Sequence, residues 1–284
     1  MATDETRDAA PAPAPVLATV TRMNDASRRT LPVLGVAIDA LACGGAIDRI
    51  RGWACSGESR YVCVCNAHSL VTATQDAAFA DALQRADMAT PDGAPVAWMM
   101  RRLGQHGQGR ISGPDLMWRY CAAVAGSDEG IFLYGATPQT LDLLEQALRL
   151  AFPGLRICGK RSPPFRALTA DEEQQDVDLI NASGAGVVWV SLGCPKQELW
   201  MARQVGRIQA VMVGVGAAFD FHAGQINRAP MWMQRSGLEW LQRLASEPRR
   251  LWRRYLVTNS CFIAGAAGQL ANRWWRRKGA TRQR

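Results

Sequence analysis

Three short stretches hold residue types and spacings suited to chemistry. Pro91-Asp92-Gly93 sets a carboxylate at a turn between an expected strand and an expected helix. There Asp92 can face a cleft at a sheet edge and take a proton from a hydroxyl, or it can simply cap the helix. On spacing alone the cap is the better reading. Gly193-Cys194-Pro195-Lys196-Gln197-Glu198 opens a helix after a buried strand. Backbone N–H groups, Lys196 and Gln197 then stand where an anion could sit. Equally, Lys196 and Glu198 are solvated charges at a helix start. Asp220 follows Gly214-x-Gly216 and is either a ribose or sugar ligand or a turn carboxylate.

Other polar residues read more plainly. Asn66 and His68 end a strand, where a cap and a satisfied core histidine are the usual roles. His106 lies in a glycine-rich loop and His222 near Asp220; three scattered histidines do not suggest a metal. Asp176-x-Asp178 spells a divalent-metal pair, yet it falls inside a polar helix and reads as a charged surface face. No P-loop and no G-x-G-x-x-G follows a strand. The eight cysteines sit mostly in apolar runs without zinc spacing, so they read as buried free thiols of a reducing compartment. Cys63-x-Cys65 alternates in a strand, both side chains on one face.

The elements that must position these residues alternate. Strands are expected at Leu34–Asp39, Tyr61–Cys65, Arg85–Thr90, Gly130–Gly135, Arg156–Gly159, Val187–Gly193 and Ala210–Gly216. Helices are expected between them: Gly45–Trp53, one from Asn66 through Leu83, one from Gly93 to Leu103, then Pro114–Val124, Pro138–Phe152 behind Thr137, Ala170–Ala182 behind Thr169, and Lys196–Val205. This is the pattern of an α/β fold, a mainly parallel sheet flanked by helices, whose ligands sit outside the carboxyl ends of the strands. Glycines at those ends (Gly135, Gly193, Gly214) let main chain approach a nucleotide or sugar, although turns alone also favour glycine there.

Charge divides the 284 residues unevenly. The net charge is +8, but from Arg228 to the end 13 Lys and Arg face two acidic residues, a net of +11, which leaves −3 for the rest. The chain therefore reads as a near-neutral body with a cationic C-terminal attachment. Residues 1–30 read as an Ala/Pro-rich tail, 31–236 as the core and 237–284 as a basic amphipathic appendage. No basic segment followed by an apolar run marks a secretory signal, so a cytoplasmic location is expected. Gly237–Ala245 and Arg249–Asn272 read as helices broken at Pro248. The uncharged run Tyr255–Asn272 holds too many polar residues and glycines for a good spanning helix. Trp274-Trp275-Arg276-Arg277-Lys278 suits an anionic membrane surface, with rings at headgroup depth and cations on lipid. For Leu238–Leu244, core packing and membrane docking weigh equally. A basic stripe would serve nucleic acid too, but no nucleic-acid motif accompanies it, and none is expected as a partner.

Several separated motifs point one way. They are Ala86-Asp87-x3-Pro91-Asp92-Gly93, Arg110-x2-Gly113-x-Asp115-Leu116, Gly193-x-Pro195-Lys196-Gln197-Glu198, Gly214-x-Gly216-x2-Phe219-Asp220, Ala223-Gly224-x3-Arg228-Ala229-Pro230, and Leu238-Glu239-Trp240-Leu241-x-Arg243-Leu244-x2-Glu247-Pro248-x-Arg250. In order and spacing, from about Leu34 to Tyr255, the chain resembles the WecB/TagA/CpsF glycosyltransferase family (glycosyltransferase family 26).

The resemblance implies a Rossmann-like fold and an inverting, metal-independent hexosyltransferase with no cofactor. It implies a UDP-sugar donor and a polyprenyl-diphosphate-linked sugar acceptor at the inner face of the membrane. Its proposed base falls on Asp92 and its motif glutamine on Gln197. Asn66, Gly113, Gly135, Gly193, Lys196, Gln197, Gly214, Asp220 and Arg228 are the substrate-binding candidates. Arg243, Arg250 and Arg253 fall on the arginines thought to complete the site on docking. The resemblance also suggests self-association. One position departs: where the family often has Thr two residues before the asparagine, this chain has Val64. Glucose, N-acetylmannosamine and its uronic acid are all compatible donors. A non-catalytic nucleotide-sugar-binding protein is the alternative from another class.

Overall fold

The computed structural model describes residues 28–246 and 248–281. Most of the expected tail and Glu247 lie outside the described residues. Residues 28–30, expected in that tail, are tied into the fold. Arg28 donates to Asp39 Oδ1 at 2.9 Å, and Thr30 opens the first strand. Asp39 is 1% exposed and also accepts from the Ala89 main-chain N–H at 2.7 Å.

The expected strand over 34–39 is instead the second arm of a hairpin, β1 (Thr30–Val33) and β2 (Val36–Asp39), antiparallel. Leu34 and Gly35 make the turn with φ of 48° and 87°. Two positive φ values suit a two-residue hairpin, and a bulky Leu at the first of them is what hid the turn.

After α1 (Cys43–Cys55), a six-stranded, all-parallel sheet begins. Its strands are β3 (Arg60–Cys65), β4 (Met88–Pro91), β5 (Gly130–Gly135), β6 (Arg156–Arg161), β7 (Val187–Ser191) and β8 (Val211–Gly214). The spatial order is β4-β3-β8-β7-β5-β6. The helix expected to run from Asn66 to Leu83 is two, α2 (Ala67–Ala73) and α3 (Ala77–Gln84). Asp76 starts the second by accepting from Phe79 N at 3.0 Å. The remaining connections are α4 (Gly93–Arg102), α5 (Gly113–Val124), α6 (Pro138–Ala151), α7 (Ala170–Ala182), α8 (Lys196–Gln204) and α9 (Ala218–His222). Thr137 and Thr169 cap α6 and α7 as their sequence implies, the latter in a reciprocal capping box.

Alternate strand residues fill two separate cores. Tyr61, Cys63, Cys65, Tyr134 and Val190 pack with α2, α3, α4, α7 and α8 on one face. Val62, Val64, Leu133 and Trp189 pack with α1, α5 and α6 on the other. Cys63 and Cys65 do share one face. All eight cysteines are free, but only Cys63, Cys65 and Cys121 are fully buried.

Asp176 overturns its surface reading. It is 1% exposed, accepts from the Tyr134 hydroxyl at 2.7 Å and pairs with Arg161 at 2.7 Å, tying α7 to β5 and β6. Asp178 alone of the pair is exposed. A helical i, i+2 pair points to different sides, so the two carboxylates have separate fates.

Past the sheet come α10 (Met231–Ser236), α11 (Glu239–Ser246) and α12 (Pro248–Thr281). Pro248 begins α12, where its missing N–H costs nothing. The helix runs through the tryptophan pair, well past the expected end at Asn272. At 34 residues it is roughly 50 Å long. One face is buried in the protein through Leu251, Phe262 and Ala266. Gln269 clamps the hairpin, accepting from Leu34 N at 3.0 Å and donating to Pro32 O at 2.6 Å, and Arg273 donates to Leu103 O. On the outer side Trp252, Leu256, Val257, Ile263, Trp274 and Trp275 are exposed, Trp275 by 66%. Among the described residues no helix is long and apolar enough to cross a membrane.

Gly135 is fixed by the sheet itself. Its φ is 114°, and a Cβ there would overlap the Ser191 carbonyl oxygen, which also accepts from Ala136 N at 3.0 Å. The Gly135→Ala variant should lose about 2–4 kcal/mol of stability. A thermal-unfolding midpoint equal to wild type would refute the crowding.

Candidate functional site

The carboxyl ends of five strands open on one cavity of about 810 Å³. Asn66 follows β3, Asp92 follows β4, Ala136 and Thr137 follow β5, Ser191–Cys194 follow β7 and Gly214–Gly216 end β8; all line it. This size and placement are those of a small-molecule site in an open parallel sheet. Because each helix returns antiparallel to its strand, the N-termini of α4, α5, α6 and α8 also converge there. Their aligned peptide dipoles favour an anion. Ser112 and Thr137 cap α5 and α6, whereas no side chain caps α4 or α8.

Asp92 heads α4 but does not cap it. Half-buried at the cavity wall, its carboxyl is pushed up to about 6 by burial first and then by the nearby Glu239 charge. Arg110 pulls the other way. A carboxyl with that proton affinity is poised between its two forms near neutrality.

Asn66, Gly113, Gln197, Gly193, Gly214 and Asp220 line the same cavity. Their local duties differ. Asn66 caps α2, its Oδ1 accepting from Ser69 N at 3.1 Å. Gln197 is buried, its Oε1 accepting from Gly216 N at 3.1 Å and its Nε2 donating to Glu198 Oε1 at 2.9 Å. Gly214 makes room for that side chain: a Cβ would lie 2.7 Å from Met201 Cε and 3.1 Å from Gln197 Nε2. Gly113 likewise lets α5 press on β8, since a Cβ would lie 2.8 Å from Val215 O. Val64 lines the wall beside Thr90 on β4, whose buried hydroxyl has no partner among the described residues.

Four candidates lie away from the cavity lining. Lys196 is exposed, because the first turn of α8 points it outward while Gln197 and Glu198 turn inward. Gly135 serves the strand contact described above. Arg228 cross-links the main chain's later half to α5: it pairs with Asp115 at 2.6 Å and lies 3.6 Å from Glu239. Arg253 is exposed, its guanidinium 5.5 Å from the Trp252 ring. Arg243 and Arg250 fall in α11 and α12, but their side chains lie outside what is described. His222 is structural: it stacks on Trp118 and contacts Pro114 O at 3.0 Å, and burial lowers its proton affinity. Glu198, for which a solvated charge at a helix start is one of two even readings of the sequence, is 1% exposed, and burial raises its carboxyl above the ordinary value.

The structure adds residues that spacing alone did not single out. Arg110 lines the cavity, donating to Glu239 Oε2 at 2.7 Å and Gln234 Oε1 at 3.2 Å. Glu239, Trp240, Tyr255, Thr258 and Asn259 bring α11 and α12 to the wall, and Thr258 Oγ1 lies 3.4 Å from His68 Nδ1. Arg110 and Glu239 both stand in the spaced motifs, which is the signal that marks them. Thr140 and Gln225, joined at 3.0 Å, carry no such signal. Among the described residues no group of three His, Cys, Asp or Glu is arranged to hold a metal ion.

Burial alone would raise the Asp115 carboxyl, but the bonds from Arg228 and Ser112 overcome it and hold it below its ordinary value. A depressed acid contributes stability above its unfolded pKa and loses it as pH falls through the folded one. Asp115→Asn should therefore cost about 1–2 kcal/mol near neutrality, with the deficit shrinking in acid below the ordinary carboxylate range. A deficit that is flat with pH in thermal-unfolding scans would refute this.

The profile of the glycosyl transferase WecG/TagA/CpsF family matches residues 31–277. That span takes in the hairpin from Leu31, all five cavity-lining strand ends and α12 to just past its tryptophan pair, and so the chain belongs to that family.

Proposed function

We propose that the protein is an inverting hexosyltransferase that moves a sugar from UDP onto a polyprenyl-diphosphate-linked saccharide in surface polysaccharide biosynthesis. The observation that carries this is Asp92, a carboxyl shifted to about 6 on the wall of a nucleotide-sized cavity where helix N-termini meet. In the reaction, ionised Asp92 takes the proton of the acceptor hydroxyl. The hydroxyl oxygen attacks the anomeric carbon from the face opposite the diphosphate. The bond from that carbon to the phosphate oxygen breaks, and UDP leaves with the electron pair, inverting the configuration.

The donor sits against the Gly193 and Gly214 strand ends, with Asn66, Gly113, Gln197 and Asp220 around it. Among the described lining residues four carboxyl groups (Asp92, Glu198, Asp220, Glu239) face one guanidinium, Arg110. A diphosphate needs more positive charge than that. Arg243, Arg250 and Arg253 supply it when the C-terminal helices settle on anionic lipid. The exposed tryptophans, aliphatics and cations of α12 support this docking. Lys278 Nζ lies 3.9 Å from the Trp274 ring, as at a wet apolar boundary.

Asp92→Asn should fold normally and release UDP at least about a hundredfold more slowly with donor and lipid-linked acceptor present. Because the base must be ionised, the wild-type rate should hold above about pH 6 and fall below it. An Asn variant at wild-type rate removes Asp92 from the mechanism. UDP-sugar binding with no UDP release over a panel of donors favours the non-catalytic binding protein instead.

For docking, exchanging Trp274 and Trp275 for Ser should leave the fold intact, since both rings are exposed. The variant should cease to sediment with vesicles containing anionic lipid. Unchanged sedimentation would exclude this end of α12 as the anchor.

A further inference from the structure

Glu198 lines the cavity and has no part in the mechanism above. It is buried at the start of α8, and its Oε2 has no partner among the described residues. Its neighbours include the thiols of Cys63 and Cys65, and no cation pairs with it among the described residues. Burial raises its carboxyl above the ordinary value, and the bond from the Gln197 amide pulls the other way. In either protonation state a carboxyl offers an acceptor oxygen, and here Glu198 Oε1 takes the Gln197 amide at 2.9 Å. Gln197 in turn accepts from Gly216 N at 3.1 Å. The chain of contacts thus runs from a buried acid, through an amide, to the main chain that forms the β8 side of the cavity. Its fit is close, since Gly214 leaves no room for a Cβ against Gln197 and Met201.

We propose that Glu198 is a positioning residue that orients Gln197 so that Gln197 pins the main chain at Gly216 against the donor site. The role needs the side chain's shape and one acceptor oxygen, both of which an amide also supplies. The link to the donor rests on the function proposed above; the pinning of the main chain does not.

The test uses the full chain, with Glu198→Gln, Glu198→Leu and Gln197→Met. Amide hydrogen exchange over residues 212–218 is measured without ligand, and affinity is measured with UDP as the probe. Glu198→Gln keeps the acceptor oxygen, so it should match wild type within about twofold in both measurements. Glu198→Leu and Gln197→Met should each speed exchange of that segment about tenfold, the scale of one lost hydrogen bond, and weaken UDP binding by a similar factor. Exchange elsewhere in the sheet should stay unchanged. If Glu198→Leu fails to fold, Gln197→Met gives the same comparison from the other end of the bond.

Wild-type exchange over 212–218 in the variants that lack the bond overturns the proposal. So does a Glu198→Gln protein as impaired as Glu198→Leu, which would mean that the charge is needed. A wild-type chain that binds no UDP defeats the donor reading, while the exchange measurement still decides whether Glu198 holds the wall.

Discussion

A parallel sheet gathers every strand's carboxyl end, and the amino end of every returning helix, along one edge. That edge cannot be covered by the connections, which run back over the two faces. It is left with main-chain N–H groups and partial positive charge. Here five of the six strands meet there around one cavity. The polar residues that matter most, Asn66, Asp92, Thr137 and Gln197, all lie within a residue or two of where a strand stops or a helix starts. The placement follows from topology. The chemistry centres on Asp92, which heads α4 without capping it.

Glycine shows how tightly the edge is built. Gly113, Gly135 and Gly214 each stand where a Cβ would strike main chain or a buried side chain. They let neighbouring segments close on one another, and the cavity is the space that this closure leaves. Gly193 differs: it has a φ of 77° with open space about it and serves the turn into α8. The same residue type thus has two physical roles at one rim.

The fold was largely legible in the sequence because its strands are short apolar runs ended by glycine or a capping residue, and its helices are announced by Thr137 and Thr169. What was not legible came from three-dimensional partners. Leu34 gave no sign of a turn, since its positive φ is imposed by the hairpin. Asp176 looked like a surface charge until Tyr134 and Arg161, brought by different strands, met it. Lys196, Gln197 and Glu198 are consecutive and polar, and only the rotation of α8 decides that the first faces water and the next two face inward. At the site, Asp92 was marked by its turn and its motif. Arg110 and Glu239 are 129 residues apart and acquire meaning only as a pair. Asp92 itself acquires its raised proton affinity from burial first and then from the Glu239 charge, against the pull of Arg110.

The seat of the long C-terminal helix has a consequence of its own. Gln269 meets the hairpin at Leu34 N and Pro32 O, and Arg273 meets the end of α4 at Leu103 O. All three partners are peptide groups, which every sequence except one with proline at 34 would supply. The anchorage therefore makes almost no demand on residue identity on the receiving side. Related chains are free to drift at 32 and 103 while keeping the helix in register, so long as an amide and a guanidinium one turn apart persist on the helix itself.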